Sequence, residues 1–450
     1  MARRERRRWG AACVVLAAFA APRVASAQNK PFPHAAGYVA GFTSTRVTSG
    51  DAEAIYARWK REYLEKDCGD GTYRVEFQSP AGSTVSEGMG YGMLLAVYFG
   101  DRAAFDGLWR FVRENLNANS LMGWKVTCAG FDRSVGGAGS ATDGDADIAM
   151  ALVAAVDQWG EAYRPPAREY LSALEAHDFT TCRATGRVMA TNGDWDRGCH
   201  ASNSSYWTPA YDRVFEEFTH DSFWGRAASD ATALWLVNRN ATTGLVANEV
   251  NEDGTVGDNQ SYVDYNGCRV PWRAVLEYLW YGTAEAKNVT DKITDWVDTR
   301  GPANLFDGYN TDGSARTGSR WNGSDCFNGG YATAAMSKSQ DRVDLFTRYF
   351  ASLTVDNYYE TSLRALYALM LSGNLWKPGP PVAPPVVSPR PAVAPANRSA
   401  DADVTRRGGL GCSLEGQRPG AWPALLLLLL LPLRWLRRRV EVGERCKSSF

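Results

Sequence analysis

Residues 85–97 read Val-Ser-Glu-Gly-Met-Gly-Tyr-Gly-Met-Leu-Leu-Ala-Val. After Ser86, a residue type that opens helices, Met89, Met93, Leu94 and Val97 recur at the spacing of one helical face. The same pattern returns in residues 141–159, ATDGDADIAMALVAAVDQW, where Ile148, Leu152, Ala155, Val156 and Trp159 follow an Asp cluster. Working outward, further helical starts fall near Ala52, Ala103, Ala167, Phe223, Trp272, Val289, Thr333, Val343 and Thr361, separated by loops rich in Gly, Asn and Asp. No two-residue alternation of comparable length competes with them. About a dozen helices with long polar loops predict an all-α fold of paired helical layers, with ligand contacts on the loops at one end. Trp109, Trp159 and Trp280 lie within helical patterns and are assigned to the core.

A chain of 450 residues that is 45% apolar, 12% aromatic and 22% charged is too rich in core-forming side chains to be disordered and too polar to span a membrane many times. Its ends differ from its middle. Arg3, Arg4, Arg6, Arg7 and Arg8 precede an apolar run from Ala11 to Ala21, and Ala25-Ser26-Ala27 supplies small residues for cleavage, so residues 1–27 read as a secretory signal. Residues 28–376 form the body, and the Pro-rich stretch that opens at Lys377 makes residues 377–411 an extended spacer. Residues 412–450 hold an apolar run, Ala421 to Leu433, followed by Arg437-Arg438-Arg439, a pattern that halts translocation. With Gly411-Cys412 ahead of it, this arrangement resembles the myxobacterial C-terminal sorting signal. That resemblance implies processing near Cys412 and attachment at the outer cell surface, the alternative being a tail anchor in the inner membrane.

The overall formal charge is −1. Residues 1–27 carry six Arg against one Glu, and residues 405–450 nine basic against three acidic side chains, which leaves −12 on the remainder. An exported acidic body argues against a nucleic-acid partner and for a neutral or cationic ligand. Of nine cysteines, six lie in the body: Cys68, Cys128, Cys182, Cys199, Cys268 and Cys326. An even number in an oxidising compartment predicts up to three disulfides, and Cys182 with Cys199 is the first pairing to test. Zinc is the competing reading, but the chain has no Cys-x-x-Cys and only four His. No metal and no cofactor is expected.

Both helical stretches place acids at a helix entrance: Glu87 in the first, Asp143, Asp145 and Asp147 in the second. Ordinary capping by Ser86 or Thr142, with the acids favouring a positive helix end, accounts for either alone. Calcium is a rival for the Asp cluster, but the EF-hand loop with its terminal Glu is absent.

SEGMGYGM and ATDGDADIAMAL resemble the two most characteristic segments of glycoside hydrolase family 8. LMGWKV around Trp124, SYWTPAYDRVF around Tyr206 and Tyr211, YNGCRVPWR around Arg269, GYNTDGS around Asp312, and YYETSLRALYALMLSGN follow in the family's order. The resemblance covers about Ala35 to Trp376 and implies an (α/α)6 barrel with a long cleft for a β-1,4-linked polysaccharide cut with inversion; a monomer is expected. It makes Glu87 the proton donor and Asp143 a contact to the sugar being cleaved, leaving Asp145 and Asp147 to fix the loop and the helix start. Many members carry Asp in a Tyr-Asp-x-x-Arg segment as the base, whereas this chain has Tyr265-Asn266-Gly267-Cys268-Arg269. An amide cannot take a proton from water, so Asn266 is not the base.

Asp264 is the first candidate for that role, because residues two apart in an extended segment share a side; Asp307 and Asp312, in the loop from Arg300 to Gly330, are rivals. Trp124, Tyr206, Tyr211, Tyr358 and Tyr359 match cleft positions, and Trp195, Tyr265, Asn266 and Arg269 join them as substrate contacts. The expected substrate is cellulose or mixed-linkage glucan, ahead of chitosan and xylan. A surface protein that binds glycan without cutting it is the alternative that Asn266 keeps open.

Overall fold

A computed structural model of the protein describes residues 28–379, apart from residues 66, 67, 69, 70, 78–81 and 197. The secretory signal, almost all of the Pro-rich spacer and the sorting segment lie outside the described residues. Within them stand twelve α-helices. Six form an inner ring: α2 (Ser86–Tyr98), α4 (Thr142–Trp159), α6 (Pro209–Thr219), α8 (Val270–Tyr281), α10 (Asp325–Ala334) and α12 (Tyr358–Leu371). Each packs on the next, and α12 closes the ring on α2. The other six, α1 (Ser49–Tyr63), α3 (Arg102–Glu114), α5 (Arg164–Asp178), α7 (Ser222–Asn238), α9 (Ala284–Arg300) and α11 (Gln340–Ser352), pack outside α12, α2, α4, α6, α8 and α10 in turn. This is the (α/α)6 barrel.

The sequence assigns the layers. Helices α2, α10 and α12 are buried along their whole length, and α4 along all of it but Asp157. A helix apolar all round belongs inside. On the outer α1 only Ala52, Tyr56, Trp59 and Tyr63 are buried, one stripe at helical spacing. Helices α2 and α4 approach so closely that a Cβ on Gly90 would stand 2.6 Å from the Cβ of Asp147, and one on Gly144 2.5 Å from Ser86. Glycine in a helix costs about 1 kcal/mol relative to alanine, and here it permits the contact that joins the two acid-bearing helices.

Loop length separates the two ends of the barrel. Turns that lead from an inner helix to the following outer one are short, such as Gly282-Thr283 between α8 and α9. Connections from outer to inner helices, except the five residues between α11 and α12, are long and carry the strands, all two or three residues in length, including Ser83–Val85 paired with Lys125–Thr127 and Tyr262–Val263 paired with Tyr309–Asn310. The N-termini of the inner helices therefore share one end with every long loop. The opposite end is closed by residues 29–44, whose backbone N–H groups donate to Gln158, Gly373, Leu279, Met336 and Leu371, near the C-termini of α4, α12, α8, α10 and α12. The strap thus satisfies carbonyls that helix ends leave open.

Three disulfides join Cys68 to Cys128, Cys182 to Cys199, and Cys268 to Cys326. The pair chosen first from the sequence is present, and Trp109, Trp159 and Trp280 are in the core. Two readings need correction. Thr333, taken as a helix start, lies near the end of α10, which begins at Asp325 under a Ser324 cap; the glycines Gly329 and Gly330 disguise its middle. Ser86 and Thr142 are not caps but the first helical residues, behind Val85 and Ala141, so neither α2 nor α4 has a side-chain cap.

Candidate active site

Those two uncapped N-termini bring Glu87 and Asp143 together beneath the long loops. Glu87 is 4% exposed and Asp143 1%. Arg269, at the end of the turn Gly267–Arg269 before α8, sends Nη1 to Oε2 of Glu87 at 2.8 Å, to Oδ2 of Asp143 at 2.6 Å and to the Tyr91 hydroxyl at 3.1 Å. Tyr358, first residue of α12, donates to Oε1 of Glu87 at 3.0 Å. The Arg269 guanidinium also lies 5.5 Å from the Tyr206 ring centre. One buried cation thus stands between two carboxylates, and full ionisation of both would leave a net negative charge away from water. Burial pushes the Glu87 carboxyl up to about 7; Arg269 opposes that push, Asp143 adds to it, and the Tyr358 hydroxyl opposes it.

The position of the Glu87 proton follows from the donors. Oε2 is committed to Arg269, which can only donate, so the hydrogen of the neutral carboxyl belongs on Oε1. There the Tyr358 hydroxyl donates to the ionised form and, by rotating, accepts from the protonated one. Trp124 is beside this pair: its carbonyl accepts the Ser86 N–H at 2.9 Å.

The structure separates the remaining acids by role. Asp147 is paired through both oxygens with Arg273 of α8 at 2.8 and 2.9 Å, a strut across the barrel rather than a support for the loop. Asp145 accepts the Met122 N–H at 3.1 Å and the Tyr170 hydroxyl. Asp264, 8% exposed, accepts from Asn248 Nδ2 at 2.5 Å and Arg316 Nη1 at 2.5 Å, and from the backbone N–H of Asn266 at 3.1 Å, not from its side-chain amide. Arg316 comes from the loop between α9 and α10, which therefore does reach back to this turn. Asp307 is buried, accepting the Trp321 N–H at 3.1 Å and the Tyr265 hydroxyl at 3.2 Å. Asp312 is exposed and accepts from the backbone N–H and hydroxyl of Ser314 in its own turn.

Among the aromatic residues, Tyr206 and Tyr358 meet the acid pair, while Trp195 is 67% exposed above the start of α4, its indole N–H donating to the Ser140 carbonyl at 3.2 Å. Tyr211 does not join them. It is 2% exposed, against Arg273 and Trp280 in the layer below the acids, because it stands inside the first turn of α6 rather than ahead of it. The Tyr359 hydroxyl donates to the Tyr265 carbonyl at 2.7 Å and so braces the turn that carries Asn266. Sequence reasoning missed Tyr91, Arg273 and Glu249. Arg273 follows Arg269, and Tyr91 follows Glu87, by one helical turn, a spacing that could have suggested both; Glu249 had no such signal. Glu249 is half-buried, and burial together with Asp258 and Asp264 pushes its carboxyl up to about 7.

An acid with its proton held, one cation, a second carboxylate and a rim of aromatic rings, all at one mouth of an (α/α)6 barrel, agree with the family suggested by the motifs. The profile of Glycosyl hydrolases family 8 matches residues 32–373. The chain belongs to this family. As a family 8 chain it is 35% identical over 300 residues to Endoglucanase 2 of Ruminiclostridium josui, covering 64% of each protein, so it spans just under two thirds of that relative's length. It is 31% identical over 396 residues to the Beta-glucanase of Niallia circulans, covering 80% of this chain and 93% of that one. Among solved structures, the apo β-1,3-1,4-glucanase from Paenibacillus sp. X4 superposes with a TM-score of 0.70 at 29% identity, over 78% of this chain and all of the other.

Proposed function

We propose that this family 8 chain is an endo-glycosidase that hydrolyses β-1,4-linked glucan, cellulose or mixed-linkage glucan, with inversion at the anomeric carbon. The observation that carries the reading is the Glu87 carboxyl, buried against Arg269 and Asp143 and held protonated up to about pH 7. In the reaction Glu87 gives its Oε1 proton to the glycosidic oxygen as the bond to the anomeric carbon breaks. Water attacks that carbon from the opposite face and loses its proton to a second carboxylate. Asp143, beside the acid, contacts the ring being distorted and opposes the positive charge that develops on it.

Asp264 is the base in this account. An ionised carboxylate offers roughly four acceptor positions. Three are filled by Asn248, Asn266 and Arg316, which fix its orientation, and the fourth is free for water. Trp195, Trp124 and Tyr206 supply stacking faces for successive sugars. The signal, spacer and sorting segments support secretion and attachment at the cell surface, with the barrel acting as a monomer. Lys377 contacts Glu217 at the end of α6, so the described chain leaves from the closed end, away from the acids.

Reducing-sugar release from carboxymethyl-cellulose, lichenan, chitosan and xylan tests the substrate, with the two glucans expected to be cut fastest. Proton NMR of the first product should show the inverted anomer. Asp264→Asn should lose nearly all turnover and keep polymer binding, with Asp307→Asn retaining most activity; the reverse result would transfer the role to Asp307. Binding with no cleavage of any polymer would leave a glycan-binding protein instead.

A further inference from the structure

The turn that carries Arg269 is held by two helices other than its own. Cys268, the residue before Arg269, is bridged to Cys326 in the first turn of α10, and both are buried. The Tyr359 hydroxyl lies 3.7 Å from the Cys268 sulfur and 3.5 Å from that of Cys326 while donating to the Tyr265 carbonyl. The same first turn of α12 supplies Tyr358 to Glu87, and Glu360, which accepts from Ser324 Oγ and the Cys326 N–H at 2.8 Å each. Helices α10 and α12 and the turn before α8 are therefore knotted together within one residue of both groups that bond to Glu87. The Arg269 Nη1 is shared among three acceptors at 2.6 to 3.1 Å, so a small rotation of the turn would redistribute it.

We propose that the Cys268–Cys326 bridge and Tyr359 are positioning residues for the reaction, holding the Arg269 guanidinium against Glu87 and Asp143. The inference rests on Glu87 being the proton donor. The groups that face Glu87 are Tyr91 on its own helix, Asp143 and Asp147 on α4, Tyr206 ahead of α6, Arg269 ahead of α8, and Tyr358 with Tyr359 on α12. Arg269 is the cation in direct contact with the carboxyl. Its displacement removes the largest influence that favours the ionised form, so Glu87 would keep its proton to higher pH.

The test uses the exported chain with Cys268→Ser/Cys326→Ser and, separately, Tyr359→Phe, which leaves the bridge in place. Near-UV circular dichroism verifies folding, and kcat, KM and the alkaline limb of kcat/KM are measured on the polymer the wild type cuts fastest. The double variant should lose about tenfold or more in kcat, with KM within about twofold, and its alkaline limb should move up by about one pH unit. Tyr359→Phe should move both in the same direction by less. Folded variants with the wild-type limb would overturn the inference, whether or not they melt earlier or turn over more slowly, since a bridge that serves stability alone leaves the limb in place. If the double variant fails to fold, Tyr359→Phe decides by the same criterion. Glu87→Gln is run alongside: activity retained there would remove the proton-donor reading itself, whereas its loss together with an unmoved limb would remove only the positioning role.

Discussion

Glu87 shows how one residue's chemistry depends on its surroundings. At an uncapped helix N-terminus a carboxyl is drawn toward ionisation, yet burial prevails and raises it to about 7. Activity should therefore fall above about pH 7 as the acid loses its proton, and kcat/KM measured from pH 5 to 9 checks the position of that limb. Tyr358→Phe removes a hydroxyl that favours the ionised carboxylate, so the limb should move upward, by roughly half a pH unit or more; a downward shift would contradict the assigned direction. Glu87 and Asp143 stood out as acids at helix entrances beside glycines, a pattern that capping explains equally well, and only the family resemblance gave them roles. Arg269's contacts were not legible, because they join residues 126 and 182 positions apart, a distance over which periodicity carries no information. The exposure of Asp312 was equally hidden, since a turn carboxylate and a cleft carboxylate share one residue type.

At the scale of elements, helix α4 is tied to α8 by the Asp147–Arg273 pair, both of them buried. Breaking such a pair by removing one partner leaves a charge with no water and no counterion. Arg273→Met should cost about 3 to 5 kcal/mol in urea unfolding, and adding Asp147→Asn should restore part of it. A loss under about 1 kcal/mol for the single variant would show that the strut contributes little. The existence and type of most elements could be read from apolar spacing, because most inner helices are buried all round and the outer ones carry a stripe; the inner helix α6, buried on one side only, was not picked out. Helix α10 was misplaced where glycines interrupt that signal. The short strands were invisible, since two or three residues set no alternation.

For the whole molecule, the even helices converge on the site and residues 29–44 close the other end across four of their six C-termini. That strap draws on sites far apart in sequence, so its role could not be read from residues that look like a plain N-terminal coil. Deleting residues 28–44 from the secreted chain should lower stability by about 3 kcal/mol or more, seen as an earlier thermal midpoint; an unchanged midpoint would mean the helix ends need no such cover. The paired layers and the loop-bearing end were legible from helix count and loop composition, whereas ring order emerges only from packing. Every one of these features matters to function through the proton on Glu87. The most direct measurement compares Glu87→Gln with wild type on a glucan polymer and on a cello-oligosaccharide bearing a dinitrophenyl leaving group, which departs without protonation. Polymer hydrolysis should fall by about a thousandfold or more while the activated substrate retains far more of its rate. An equal fall on both, or near-normal cutting of the polymer, would contradict the assignment.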